Sequence, residues 1–458
     1  MHYHLMDIGG IGMSGLALIL QSFGHLVSGC DKNVFDKTRE LEAAGIRVAH
    51  GHSVGHITAD VDVVVLSTGI NATEPEVLFA RDQGKLVLRR IELLADLMRL
   101  KRGISVAGTH GKTSTSAMVA TVFEGCGVNP TAAVGGEVAA IGGNAKVGSG
   151  VHFIAEIDES DPLFAKVTSD IAIITNIEDD HVALSEADVR NNYHASVEDL
   201  HLAFREFARN AKKVVYCADW LPLEQILMGC LENGVSYGIK HGDYRATSLK
   251  LEGGQPSFTF TLHGLPLVDV HLLVPGAHNV LNAVATLAVA HLEGLDLNAA
   301  AVALAGFRGA GRRWEVLGEF QEALLVDDYA HNPTKVGAAI HGALSYGKRV
   351  RVIFQPHRVI RTARDWERYA QVLQDANEVL MLDIYSAGEA SMQGVSSQRI
   401  LEKMQRDGFE AVSYYPNLSA VKTHVRQTAQ AGDLIVSMGA GDVTKVLREV
   451  LNEQVNHA

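Results

Sequence analysis

Cysteine is scarce in this chain, and long apolar runs are absent. No stretch reaches the roughly 18 to 20 apolar residues that cross a bilayer, and the start MHYHLMDIGG lacks the basic and apolar regions of a secretory signal. The cysteines contain no CxxC pair, which argues against a disulfide framework and against a zinc cluster. They are Cys30, Cys126, Cys217 and Cys230. We therefore expect a cytoplasmic protein without a membrane segment.

Positive charge is also in deficit. The chain carries 40 Lys and Arg against 53 Asp and Glu, for a net charge of −13 with neutral histidines. Such an acidic chain is a poor candidate for binding nucleic acid through bulk electrostatics. The 21 histidines mostly lack the spacing of metal ligands.

The 458 residues are enough for about three domains of ~150 residues each. A strand, a glycine-containing turn or loop and a helix follow one another three times, with strands at 3–8, 104–107 and 323–326. Alternating strands and helices predict parallel sheets. Further strands are expected at 26–29, 61–66, 153–157, 171–175, 350–354, 379–382 and 434–437. We predict an α/β fold of three domains, at 1–101, 102–311 and 312–458.

The strongest motif is AGTHGKTST at 107–115, between an apolar strand and a helix. Backbone N–H groups of a glycine turn cradle phosphate oxygens, a lysine reaches the β- and γ-phosphates, and a following hydroxyl binds Mg²⁺. The general pattern would place glycine where Val106 stands, so this is a shorter form of the phosphate loop. Its candidate residues are Gly108, Thr109, His110, Gly111, Lys112, Thr113 and Ser114.

A second glycine turn follows the first strand, and Asp31 lies about twenty residues further on. This pattern is typical of a turn that binds a nucleotide diphosphate, although tight strand–helix packing uses the same glycines. The turn alone does not distinguish NAD from another nucleotide. Its residues are Gly10, Ile11, Gly12, Met13, Ser14 and Gly15.

Two acidic segments, AEIDESD at 155–161 and TNIEDDH at 175–181, each follow an apolar strand. Ligands bind at the carboxyl ends of strands in open α/β sheets, and Mg²⁺ offsets the repulsion between clustered carboxylates. Each segment alone is also compatible with a solvated loop. Together with the phosphate loop they indicate one site.

These motifs in this order resemble the Mur ligase family, the ATP-dependent amide ligases of peptidoglycan precursor synthesis. The resemblance covers the whole chain and rests on IGGIGMSGLA, AGTHGKTSTSAMVA, EIDESD, TNIEDDH, GRRWEVLGE, DDYAHNPT and FQPHRVIRT with DIYSAGE. It implies an N-terminal Rossmann-like domain for a UDP-sugar, a central P-loop ATPase domain with a parallel sheet, and a C-terminal Rossmann-like domain that closes over the substrates.

The resemblance further implies a reaction that joins two substrates, UDP-N-acetylmuramate and L-alanine, at the expense of ATP. ATP phosphorylates the lactyl carboxylate of the sugar nucleotide, and the alanine amine attacks the acyl phosphate. A sister ligase or a tripeptide-recycling ligase acting on the same sugar nucleotide is the alternative. Rivals from other classes are an ATP-hydrolysing binding protein and an NAD-dependent oxidoreductase. Monomer and homodimer both remain open.

Residue roles also follow from the resemblance. Lys112 and Thr113 hold the γ-phosphate and Mg²⁺, with Glu156 and His181 beside the metal. The adenine side of ATP is contacted by Asn279, Asn282, Arg313, Asp328 and His331. The alanine carboxylate and the acyl phosphate are oriented by His357, Arg358 and Arg361. The turn Gly10 to Gly15 holds the uridine diphosphate, with Asp31 near the uridine.

Overall fold

The computed structural model describes residues 1–33, 36–179, 182–183 and 194–455. The chain divides into two compact units. The first comprises 1–247, 259–270 and 281–304, and the second comprises 248–258, 271–280 and 305–458. Within the described ranges, no helix combines the length and apolarity needed to span a membrane.

The first unit begins with a five-stranded sheet in the order β3-β2-β1-β4-β5, in which every pair is parallel. Its strands are β1 His2–Met6, β2 Leu26–Asp31, β3 Arg47–His50, β4 Val63–Leu66 and β5 Leu86–Arg89. The helices between them are α1 Ile11–Ser22, α2 Asp36–Ala43, α3 Pro75–Asp82 and α4 Arg90–Met98. Buried parallel strands need apolar side chains on both faces, as the VVVL sequence of β4 provides.

A ten-stranded sheet follows, in the order β15-β14-β13-β12-β11-β10-β6-β9-β7-β8. Its strands are β6 Arg102–Ala107, β7 Thr131–Val138, β8 Gly143–Lys146, β9 His152–Glu156, β10 Ser169–Ile174, β11 Ala211–Cys217, β12 Gly234–Gly238, β13 Tyr244–Lys250, β14 Ser257–Leu262 and β15 Leu265–His271. The helices are α5 Lys112–Gly125, α6 Val197–Arg209, α7 Pro222–Ile226, α8 Ala277–Leu292 and α9 Leu297–Ala305. Strand β6 pairs in parallel with both β9 and β10, so the three strands end at one edge.

The second unit contains a six-stranded sheet in the order β16-β17-β21-β18-β19-β20. Its strands are β16 Glu315–Phe320, β17 Ala323–Asp328, β18 Arg349–Phe354, β19 Glu378–Met381, β20 Val412–Tyr414 and β21 Asp433–Met438. The helices are α10 Pro333–Leu344, α11 Val359–Leu373, α12 Ser397–Arg406, α13 Leu418–Thr428 and α14 Thr444–Val455. The last strand, β21, pairs in parallel with both β17 and β18, so the chain returns at its end to the middle of this sheet.

The predicted α/β fold of three parallel-sheet domains is confirmed, and every predicted strand is present within a few residues. The sheets are not purely parallel, however, because β8 and β16 are antiparallel to their neighbours. The β16–β17 turn has positive φ at both Gln321 and Glu322 (50° and 62°), as a tight hairpin turn requires. Neither residue type signals such a turn in a sequence.

Candidate functional site

The phosphate loop joins the end of β6 to the start of α5, and two glycines permit its path. Gly108 and Gly111 have φ of +132° and +81°. A Cβ atom on Gly108 would overlap the Thr175 hydroxyl, and one on Gly111 would lie 2.8 Å from Oδ1 of Asn282. The loop therefore packs tightly against these neighbouring residues. Helix α5 begins at Lys112, so the positive end of the helix dipole lies at the loop.

The residues after β10 hold this loop. The Thr175 hydroxyl donates to the carbonyl of His110 (2.6 Å), and the backbone N–H of His110 donates to Oδ1 of Asn176 (2.8 Å). The sequence also predicted a functional role for the segment 175–181, but through His181 as a metal neighbour. His181 lies outside the described residues. Thr175 and Asn176 were not among the predicted site residues, although their position at the end of a predicted strand, in the segment 175–181, was a signal.

Glu156, at the end of β9, lies next to the helix that follows the loop. Its Oε1 accepts a hydrogen bond from the Thr113 hydroxyl (2.9 Å), and its Oε2 accepts one from the backbone N–H of Gly135 (2.8 Å). Two of the predicted metal neighbours therefore meet at the shared edge of β6 and β9. A hydroxyl beside a carboxylate is a donor set suited to Mg²⁺.

Lys112 extends over the loop. Its Nζ donates to the carbonyl of Gly108 (2.6 Å) and lies 2.5 Å from Oε2 of Glu159. Burial alone would lower the pKa of Lys112, but the carboxylates of Glu159 and Asp158 outweigh it, so the pKa lies above its ordinary value. The ammonium is therefore held charged at the phosphate loop.

A pocket of about 440 Å³ brings the first glycine turn together with Glu156. Helix α1 approaches β8 closely: a Cβ atom on Gly15 would lie 2.9 Å from Nδ2 of Asn144, and that nitrogen donates to the carbonyl of Ile11 (2.6 Å). Across the pocket, Nη2 of Arg90 lies 3.7 Å from Oδ2 of Asp158. The lining includes Gly10, Ile11, Gly12, Met13, Gly15, Arg90, Asn144, Glu156 and Asp158. Asn144 and Arg90 were not singled out in the sequence.

Asp31 stabilises the first glycine turn through hydrogen bonds to the backbone. Its buried carboxylate accepts hydrogen bonds from the backbone N–H groups of Gly9 (2.9 Å) and Asn33 (3.0 Å), and Asp31 is absent from the pocket lining. Ser14 is buried, and its hydroxyl donates to the Ile11 carbonyl (3.1 Å). Both residues therefore have structural partners, and a contact of Asp31 with uridine stays a prediction.

Asn279 and Asn282, both on α8, have different hydrogen-bond partners. In the first unit, Oδ1 of Asn282 accepts a hydrogen bond from the Thr115 hydroxyl (3.1 Å), in the first turn of α5. In the second unit, Nδ2 of Asn279 donates to the Pro275 carbonyl (2.8 Å). Asn282 is thus a neighbour of the phosphate loop.

In the second unit, β17 ends at a half-buried acid, Asp328. The Asp328 carboxylate accepts hydrogen bonds from the backbone N–H groups of Trp314 and Ala330 (2.8 Å each). Burial nevertheless raises the pKa of Asp328 to about 6. The guanidinium groups of Arg312 and Arg313 lie 5.1 and 5.0 Å from the centre of the Tyr329 ring.

His357 follows β18 and lies close to arginine side chains. Nη1 of Arg361 lies 3.3 Å from Nδ1 of His357, which must accept because a guanidinium only donates. Burial and the charges of Arg361, Arg358 and Arg312 lower the pKa of His357 to about 4, so this imidazole is neutral. Its ring lies 5.8 Å from the rings of both Tyr385 and His331. Arg358 has a φ of +70°, a strained conformation of the kind that concentrates at functional sites.

Family models match each part of the chain. The model described as Mur ligase family, catalytic domain, matches residues 2–102; the Mur ligase middle domain matches 106–290; and the Mur ligase, glutamate ligase domain matches 312–441.

Relatives match over nearly the full length. The UDP-N-acetylmuramate–L-alanine ligase of Deinococcus radiodurans is 45% identical, covering 98% of this chain and 93% of the relative. The enzyme of that name from Carboxydothermus hydrogenoformans is 42% identical, covering 98% and 96%. Among solved structures, the UDP-N-acetylmuramate-alanine ligase of Thermotoga maritima superposes with a TM-score of 0.85 at 28% identity, covering 100% of both chains.

The packing at Gly108 yields a test of the phosphate loop. We expect Gly108→Ala to weaken ATP binding at least about tenfold, because its methyl group would displace the loop from Thr175 and Asn176. Gly127→Ala is the matched control, since Gly127 also has a positive φ (+74°) but open space around it. Calorimetric titration with ATP compares the two variants. Equal affinities would contradict the importance of this contact.

Proposed function

Because this chain belongs to the Mur ligase family, we propose that it is an ATP-dependent amide ligase that joins L-alanine to the lactyl carboxylate of UDP-N-acetylmuramate, in peptidoglycan precursor synthesis. The relatives at 45% and 42% identity carry this activity in their names. A murein peptide ligase from Psychrobacter arcticus superposes with a TM-score of 0.70 but at 22% identity, which supports the fold alone. The tripeptide-recycling alternative is therefore not favoured.

One observation carries the proposal: the first glycine turn and Glu156 line a single pocket, and Glu156 binds Thr113 of the phosphate loop. A sugar nucleotide held by the turn would extend its carboxylate towards the edge where the γ-phosphate of ATP is expected. Such proximity replaces a bimolecular encounter by an oriented one, which is a large part of phosphoryl-transfer catalysis.

The proposed chemistry has two steps. A carboxylate is a poor electrophile at neutral pH, so its oxygen first attacks the γ-phosphorus and ADP leaves. The alanine amine then attacks the acyl carbon, loses a proton, and inorganic phosphate departs with one former carboxylate oxygen. The protein's part is to position the reactants and stabilise charge, and Lys112 supplies positive charge at the phosphates.

Thr113 and Glu156 would hold Mg²⁺, since both offer oxygen atoms and already lie within 2.9 Å of each other. When bound, Mg²⁺ would neutralise charge on the β- and γ-phosphates. His181 is proposed as a further neighbour from the family resemblance alone.

The second unit would contribute recognition of alanine. Arg358 and Arg361 are suited to a carboxylate, because a guanidinium pairs with it through two parallel hydrogen bonds. Because His357 is neutral, the positive charge available to the alanine carboxylate would come from Arg358 and Arg361. The remaining residues proposed from the resemblance, for the nucleotides, are Thr109, His110, Ser114, Asn279, Asn282, Arg313, Asp328, His331 and Asp31.

The substrate panel is the first test. Phosphate release is measured with UDP-N-acetylmuramate, ATP and Mg²⁺, adding single amino acids or a cell-wall tripeptide in turn. We expect release to depend on both the sugar nucleotide and L-alanine. Dependence on tripeptide alone would favour the recycling ligase, and release indifferent to both would indicate an ATP-hydrolysing binding protein.

The second test removes the loop ammonium. We expect Lys112→Ala to lower kcat at least about a hundredfold with the fold intact, because the charge acts mainly on the transferring phosphoryl group. Lys212→Ala is the control, since Lys212 pairs with Asp170 at the surface, with 81% of its side chain exposed. Near-normal turnover of the Lys112 variant would contradict its assignment.

The third test concerns alanine. Arg358→Ala should raise the KM for L-alanine about tenfold or more while the affinity for ATP is retained, as expected on losing a charge-assisted pair. Arg368→Ala is the control, because Arg368 lies on α11, which begins just after Arg358, and 53% of its side chain is exposed. An unchanged KM and kcat for L-alanine would count against Arg358.

A further inference from the structure

A buried group of metal-binding side chains lies in the first unit, outside the residues used above. His4 is on β1, Cys30 on β2, His56 in the 3₁₀ turn Val54–His56, and Glu76 in the first turn of α3. One potential ligand atom from each residue lies within 4.8 Å of all the others. We call these four residues the His4 cluster.

The sheet register explains why the cluster forms. His4 pairs with Ser28 across β1 and β2, and Cys30 is two residues beyond Ser28. Because side chains alternate along a strand, His4 and Cys30 project from the same face of the sheet. His4, Cys30 and Glu76 have exposures of 2%, 0% and 1%, so this chemistry is buried in the domain interior.

Glu76 is at the centre of the cluster. Its Oε1 lies 3.3 Å from Nε2 of His4 and 3.2 Å from Nδ1 of His56, and both its oxygens lie 3.7 Å from Sγ of Cys30. Nε2 of His4 is fully buried and makes no well-aligned hydrogen bond despite this proximity. A buried imidazole nitrogen without a good partner, aimed at a thiol and a carboxyl group, is an unfavourable arrangement unless something else binds there.

We propose that His4, Cys30, His56 and Glu76 form a zinc site. Two imidazoles, a thiolate and a carboxylate are four ligands of the types that Zn²⁺ takes in tetrahedral sites, whereas Mg²⁺ prefers oxygen alone. Zinc–ligand bonds of about 2.0–2.3 Å place tetrahedral ligand atoms about 3.3–3.8 Å apart. Atoms already within 4.8 Å of one another need only a small contraction.

Polar contacts around the His4 cluster would hold its proposed metal ligands in a fixed orientation. Nδ1 of His4 contacts the Ser28 hydroxyl (3.0 Å), which leaves Nε2 pointing into the cluster. Nδ1 of His52 contacts Sγ of Cys30 (3.2 Å), and its Nε2 contacts Oδ1 of Asp7 (3.2 Å). Such outer contacts set the tautomer and direction of metal ligands. The site joins two strands, a turn and α3, so its expected role is to stabilise this domain.

Cobalt titration tests the site in the full-length protein without using its activity. After exhaustive chelation, Co²⁺ should bind with one equivalent and give a thiolate-to-cobalt charge-transfer band with tetrahedral d–d bands, both abolished by Zn²⁺ and unaffected by excess Mg²⁺. Zn²⁺ should also raise Tm, because a ligand that binds only the folded state stabilises it. Absence of the charge-transfer band would overturn the proposal.

Variants assign the ligands. Cys30→Ser should remove the charge-transfer band, whereas Cys217→Ser, at a buried cysteine of another sheet, should retain it. His56→Gln, at a side chain that is 19% exposed and therefore tolerant of change, should weaken Co²⁺ binding at least about tenfold with the fold intact by circular dichroism. A band that persists in Cys30→Ser, or unchanged affinity in His56→Gln, would refute the site.

Discussion

The close contact between the phosphate loop and the end of β10 is the constraint on which the rest of the site depends. With Thr175 and Asn176 bonded to His110, only glycine fits at 108, and α5 must start where its N–H groups face the edge of the sheet. The same edge receives Glu156 from β9, one strand away from the loop. A shift of this loop would separate Thr113 from Glu156, and the site would lose its proposed magnesium ligands.

The fold was largely readable because buried parallel strands appear in a sequence as short apolar runs that alternate with helices. The run at 171–175 became β10, and the run at 434–437 became β21. The antiparallel edges were missed for a physical reason. At the β16–β17 hairpin, Gln321 and Glu322 adopt the positive φ that the two-residue turn requires, although neither residue type favours it.

The residues of the site could be predicted from the sequence only where a suitable residue type and a position at the end of a strand occur in the same segment. Lys112 and Thr113 follow from residue type and from their place after a strand, whereas the choice of Glu156 within the acidic segment 155–161 follows from the family resemblance. Asn144 and Arg90 reach the pocket from distant segments whose sequences carry no signal. The His4 cluster could not be predicted from the sequence for the same reason. The spacing of the cysteines argues against a zinc site, whereas the four members come from four separate elements of the fold. Spacing rules detect ligands on one loop, but they do not detect ligands that a sheet register assembles.

Oxygen transfer during turnover tests the central claim most directly. With the lactyl carboxylate of UDP-N-acetylmuramate labelled with ¹⁸O, mass spectrometry of the released phosphate reports whether the carboxylate attacked the γ-phosphorus. The account predicts one ¹⁸O atom in each phosphate, in step with amide formation. Unlabelled phosphate accompanying amide formation, or label appearing in AMP, would contradict it.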